Sequence, residues 1–166
     1  MFQHPLTKRI AEFLTAIGIP VVATQLGDEC FLPGIGIESG KLIVDERKLK
    51  YPGDLLHEAG HLAVAPGEVR PGLTGEVVIP DADMNVVEVQ ATAWAYAAVR
   101  HLDLDPSVLF HEGGYRGMSQ GLIFTYGVGV YPGANRLQEI SMTAVGEMAR
   151  KSGIPPYPHM LKWIRD

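Results

Sequence analysis

The chain has 166 residues, 46% hydrophobic and 20% charged, with a net charge of −5 and one cysteine. This is an ordinary globular composition, long enough for one domain, 1–166, with a real core. The acidic balance without any Lys/Arg run speaks against a nucleic-acid surface, and no 18-residue uncharged apolar stretch exists to cross a membrane.

The N-terminus lacks the basic and apolar regions of a signal peptide, and Cys30 alone cannot form an internal disulfide. A reducing, cytoplasmic location is expected. Residues 5 to 17 predict an amphipathic helix with Leu6, Ile10, Phe13, Leu14 and Ile17 on one side. Gly18 and Pro20 end it. Val21 to Thr24 reads as a short strand, and Gly27-Asp28-Glu29 as a turn. Ile35–Glu38 and Lys41–Asp45 flank Ser39-Gly40 and predict a hairpin. The expected fold is α+β and zincin-like, mainly helical, with a small antiparallel sheet beside the next helix.

That helix carries His57-Glu58-Ala59-Gly60-His61, a His-Glu-x-x-His pattern. Its apolar spacing through Leu55, Leu56, Ala59, Leu62 and Ala63 is helical, so 53 to 65 is expected as helix, with Asp54 as N-cap and Pro66-Gly67 as stop. On a helix, residues four apart lie about 40° apart and one turn along the axis. His57 and His61 can then aim two imidazoles at one metal ion, leaving Glu58 on the flank as a base rather than a ligand. Random arrangement of 6 His among 166 residues gives the pattern only about 0.01 times per chain. Val64 and Gly67 stand where the long metzincin motif would continue, which excludes that class.

A zinc centre of this kind needs a third protein ligand. Pro66 to Pro80 is long for a connection, and Gly75–Pro80 reads as a strand within it. The almost wholly apolar stretch from Met84 to Val99 then predicts a buried helix. A carboxylate inside it, Glu88, is costly unless paired or bound to a metal. It shares a face with the small residues Ala91, Thr92 and Ala95, which suit close approach by Ala59 and Gly60. Competing partners for Glu88 are Arg100 and Arg116, and competing ligands are Glu76, Asp81, Asp83, His101 and His111.

Beyond His101 the signals weaken. Asp105-Pro106 suits a short helix, and His111 to Arg116 reads first as a surface loop. Its alternative is a role for His111, Tyr115 or Arg116 at an oxyanion. Leu122 to Tyr131 does not separate strand from helix. Leu137, Ile140, Ala144, Val145 and Met148 predict a helix over 134 to 151, closed by Gly153 and Pro155. A last short helix is expected over 157 to 164, with Met160, Leu161, Trp163 and Ile164 in the core.

From about residue 35 to 98 the chain resembles the ImmA/IrrE family of zincin-like metallopeptidases. The residues that carry the likeness are His57-Glu58-Ala59-Gly60-His61 and Glu88-Val89-Gln90-Ala91-Thr92-Ala93-Trp94-Ala95. The family usually has a bulky residue at the place of Ala59, and often an N-terminal DNA-binding module. The resemblance implies Zn2+ held by His57, His61 and Glu88, and peptide hydrolysis with Glu58 as general base. It also implies a protein substrate such as a transcriptional regulator. The rival readings are a non-catalytic zinc-binding regulatory module and metal-assisted hydrolysis of something other than a peptide.

Overall fold

The computed structural model describes residues 2–27 and 32–166. The expected turn at Asp28-Glu29, and Cys30, lie outside the described residues. Helix α1 (Pro5–Ala16) leads to strand β1 (Val21–Ala23), then β2 (Ile35–Glu38) and β3 (Lys41–Val44) form the hairpin. The motif helix is α2 (Asp54–Val64), and the second site helix is α3 (Met84–His101). Helices α4 (Ser119–Gly127), α5 (Ala134–Glu139) and α6 (Gly146–Ser152) follow.

The sheet has the order β1-β3-β2 and is mixed, not antiparallel. β2 pairs antiparallel with β3, Ile35 opposite Val44 and Ile37 opposite Leu42. β1 runs parallel to β3, with Val21 opposite Leu42. A parallel neighbour needs a long connection, and residues 24–40, which include β2, join β1 to β3. Ile35, Ile37, Leu42 and Val44 are all buried, so one face of the sheet closes on the helices.

Helices α2 and α3 form the centre. Leu55, Leu56, Ala59, Leu62 and Ala63 are fully buried, as is α3 from Ala93 to Ala95 and from Ala97 to Val99. Gly60 permits the approach: a Cβ there would stand 2.6 Å from the Ala91 carbonyl oxygen. The small-residue match between the two helices therefore has a physical basis in backbone contact.

The last carbonyls of α2 are all answered. His61 O accepts from Ala65 N–H at 3.3 Å and Ala63 O from Arg165 N–H at 2.9 Å. The Arg70 side chain reaches Leu62 O at 2.8 Å and Ala65 O at 2.9 Å. Arg165 reaches Val64 O at 3.2 Å, and Arg70 also donates to Arg165 O. A helix end leaves four such acceptors, and here the chain terminus and Arg70 close them.

Four expected elements differ. Asp54 does not cap α2; it is the first helical residue, after Gly53. Gly75 to Pro80 forms no strand: Gly75 N–H bonds Ile37 O at 2.9 Å, and its φ of +74° then turns the chain away. The helix over 134 to 151 is broken into α5 and α6. Ser141 sits at φ +59°, Gln138 takes the Val145 N–H at 2.7 Å, and Thr143 bridges Met160. Leu137 and Ala144 are buried in the broken form as they would be in a continuous helix, so apolar spacing alone could not separate the two. Residues 157 to 164 are not helical for the same reason, being drawn out along 142–144. Met160 is buried, but Leu161 is exposed, while Trp163 and Ile164 are partly buried.

Candidate metal centre

The three expected ligands meet. His57 Nε2 lies 3.2 Å from His61 Nε2. Glu88 bridges the pair, Oε1 at 3.3 Å from His57 Nε2 and Oε2 at 3.2 Å from His61 Nε2. Among the described residues this is the group of histidines and carboxylates so arranged that it could hold a metal ion. Glu76, Asp81, Asp83, His101 and His111 are not in it. Asp83 instead caps α3, accepting from Asn85 N–H at 2.9 Å, and His101 packs its ring on Phe13 and Trp163.

The reason first given for Glu88 does not hold. Its side chain is 53% exposed. In the first turn and a half of α3 only Val87 is buried, Glu88 and Val89 face outward, and near-continuous burial begins at Gln90. Glu88 forms no ion pair with Arg100 or Arg116; its partners are the two imidazoles, which hold its carboxyl well below the ordinary range. The cause is the side-chain contact with His57, then that with His61.

Glu58 lies on the inner flank and is 4% exposed. Burial, the largest influence, pushes its carboxyl up to about 7. The charges of Asp54, Glu88 and Glu76 act in the same direction, against His61. A carboxyl poised near neutrality can take and return a proton. A cleft of about 280 Å³ opens beside it, lined by His57, Glu58, His61, Glu76, Val77, Val78, Met84 and Glu88. The Nδ1 atoms of His57 and His61 are buried and take no protein partner among the described residues, so both rings present Nε2 to the shared point.

The segment 111–116 is not a plain surface loop. His111 is buried, and its Nε2 meets Asp54 Oδ1 at 2.7 Å. Its ring stacks on Tyr51 with centroids 3.8 Å apart. Gly114 runs close under this ring: a Cβ there would stand 3.1 Å from His111 Cε1, tighter than ordinary contact. Tyr115 packs edge-on to His57 at 6.0 Å and to Phe110 at 5.1 Å. Burial holds its hydroxyl far above the ordinary tyrosine value, so it stays protonated. Tyr115 and Arg116 both have left-handed backbones, φ +54° and +52°, a conformation costing roughly 1–2 kcal/mol for such residues. Strain of this kind concentrates at functional sites. Arg116 itself is exposed.

The Asp54–His111 pair was not legible from the sequence, because its members are 57 positions apart and neither carries a motif of its own. Searches against protein-family models, curated proteins and solved structures gave no match. The resemblance to the ImmA/IrrE family accordingly rests on the motif residues alone. No helix among the described residues is long and apolar enough to cross a membrane.

Proposed function

We propose that the protein is a zinc-dependent metallopeptidase of zincin type, as the motif resemblance implies. The observation that carries this reading is the convergence of His57, His61 and Glu88, whose ligand atoms lie within 4.8 Å of one another. Two ligands at about 2.0–2.1 Å from zinc, at the tetrahedral angle, lie about 3.3–3.4 Å apart. Here the two Nε2 atoms lie 3.2 Å apart, and each has its own Glu88 oxygen, Oε1 at 3.3 Å from His57 and Oε2 at 3.2 Å from His61. Two neutral imidazoles and one carboxylate are also a donor set that zinc takes in catalytic sites. His57, His61 and Glu88 would hold the ion. Zinc held there supplies Lewis acidity, making water acidic near neutral pH and polarising a carbonyl.

The chain's own residues do the rest. Glu58, buried and poised near neutrality, takes a proton from the attacking water and returns it to the leaving amine. Tyr115, protonated and packed on His57, donates to the oxyanion that forms. The Asp54–His111 pair ties the 111–116 segment to the first turn of α2 and so holds Tyr115 in place.

The test is Glu58→Gln in zinc-loaded protein. Turnover of a peptide library should fall by about 10²–10⁴-fold, since proton transfer is lost and general base catalysis is worth that much. Zinc content should remain near one per chain. Glu88→Ala should lose or weaken the metal instead. Undiminished turnover in a fully metallated Glu58→Gln protein would reject the mechanism. A zinc site with no turnover of any peptide would favour the non-catalytic regulatory module.

A further inference from the structure

The far end of α3 opens a second cavity. Its volume is about 410 Å³, and Arg100, His101, Pro158, His159, Met160 and Trp163 line it. It shares no lining residue with the cleft beside Glu58. Glu88 and His101 stand on the same helix, and a rise of about 1.5 Å per residue puts them about 20 Å apart along its axis. The two sites are therefore separate. Arg100 and His101 also suit a helix end, where basic side chains complement the dipole. That role does not account for the cavity. Arg9 already donates to Leu102 O at the end of α3, and His159 comes from far along the chain.

The chemistry of the cavity is that of an anion site. A guanidinium and two imidazoles line it, all of them N–H donors, and no Asp or Glu does, in a chain where acids outnumber bases 19 to 14. Among the described residues none of the three side chains makes an ion pair or a hydrogen bond. The donor from the C-terminal stretch is held in place by its backbone. Buried Thr143 donates to His159 O at 2.6 Å, and Leu161 N–H to Met142 O at 2.9 Å. Trp163 O takes the Trp94 indole N–H at 2.9 Å. Groups fixed before a ligand arrives lose little freedom on binding it. Beside the donors, Pro158, Met160 and Trp163 form an apolar wall.

We propose that this cavity binds a small phosphomonoester, with the phosphate on Arg100, His101 and His159 and the apolar body against Pro158, Met160 and Trp163. The volume suits a small organic molecule rather than a bare oxyanion. A phosphomonoester brings nearly two negative charges at neutral pH and three acceptor oxygens, which answer three donors better than a carboxylate does. Arginine takes phosphate through two parallel N–H bonds. The site does not depend on the metallopeptidase reading.

The experiment titrates the full-length chain, zinc-loaded and metal-free, with phenyl phosphate, inorganic phosphate and benzoate. Binding is read from the ring resonances of His101 and His159 and the indole N–H of Trp163. Phenyl phosphate should shift all three in both metal states. It should bind about five- to tenfold more tightly than inorganic phosphate, as covering about 50 Å² of ring predicts. Benzoate, with the same ring and one charge, should be weaker than the ester by about two- to fivefold. Arg100→Gln and His159→Gln should each weaken the ester by a similar factor; both side chains are exposed, so the fold survives their loss. Arg150→Gln removes an exposed arginine that does not line the cavity and should leave the affinity unchanged. A response confined to zinc-loaded protein would assign the anion to the metal centre and overturn the inference. Equal losses in Arg100→Gln and Arg150→Gln would reduce it to general charge and do the same. So would inorganic phosphate or benzoate binding as tightly as the ester, or no shift at the three rings by about 10 mM ester. The metallopeptidase reading stands or falls separately, on Glu58→Gln.

Discussion

Asp54 and Asp45 show two ways in which a carboxylate organises the approach to the site. Asp54 opens α2 and gives up its capping role for the His111 contact. Replacing His111 by Phe keeps the stack on Tyr51 but leaves a half-buried carboxylate without its partner. That should cost about 1–3 kcal/mol in urea denaturation, and His111→Phe with Asp54→Ala should cost less than the sum, because the two share one interaction. Asp45 ends β3 and pins the loop toward α2. It accepts from Arg47 Nε and Nη2, both at 3.1 Å, and from Leu26 N–H at 3.1 Å. The Arg47 guanidinium, then the Leu26 amide, hold its carboxyl at about 2. A depressed carboxyl contributes stability that is present above the unfolded value near 3.8 and is lost as pH falls toward 2. Asp45→Asn should therefore unfold more readily than the native chain at pH 7, and the difference should close between about pH 4 and pH 2. Thermal scans across that range check it; a gap unchanged at pH 2 would show that the charge is not the cause. At this scale the sequence named His57, His61 and Glu58 by spacing, and Glu88 by a burial that the structure does not have. His111 and Tyr115 were not assignable, because only the folded chain brings them to α2.

Between elements, the deciding contact is backbone to backbone. A glycine inside a helix is about 1 kcal/mol worse than alanine, so Gly60→Ala would stabilise an isolated α2. Here the added Cβ would meet the Ala91 carbonyl at 2.6 Å, and overpacking costs typically 1–3 kcal/mol. The clash should win, with a net loss of up to about 2 kcal/mol, because the Ala91 atoms it meets are main chain and cannot swing aside. Gly121 in α4 is the control: nothing lies within 4 Å of its Cβ position, and Gly121→Ala should gain about 0.5–1 kcal/mol. Equal signs for the two substitutions would remove helix–helix approach as the reason for Gly60. Helix α2, α3 and the β2–β3 hairpin were legible because each has its own period and its own punctuation. The parallel placement of β1, the break between α5 and α6 and the drawn-out C-terminal stretch were not. Each is set by a partner far along the chain, Leu42 for Val21 and Met160 for Thr143, and local period carries no trace of it.

Across the whole molecule, the C-terminal stretch reaches back to the motif helix. Trp94 Nε1 donates to Trp163 O at 2.9 Å, Tyr157 hydroxyl to Ala93 O at 2.8 Å, and Arg165 to the end of α2. Arg70 joins this terminus to the same helix end through Leu62 O, Ala65 O and Arg165 O. The turn so fixed carries His61, one residue before Leu62. If His57, His61 and Glu88 hold a metal as proposed, stability and metal affinity should be coupled through Arg70. Arg70→Met keeps the apolar stem and removes three donors, each leaving a carbonyl short of a partner at about 1–3 kcal/mol when buried. Relaxation and water reduce that sum, and a net loss of about 3 kcal/mol is expected. For a chain of this length the loss lowers the melting temperature by roughly 6–12 °C. Zinc, if the folded chain binds it as proposed, raises that temperature by mass action. If Arg70 only stiffens the fold, zinc should raise the melting temperature of the variant as much as that of the native chain. If Arg70 also sets His61, the rise should be smaller in the variant, and its zinc dissociation constant should increase by about tenfold, the low end of what a ligand's supporting contact contributes. We expect the second pattern, because the carbonyls that Arg70 holds continue the turn on which His61 stands. Calorimetry with and without zinc on both proteins separates the two.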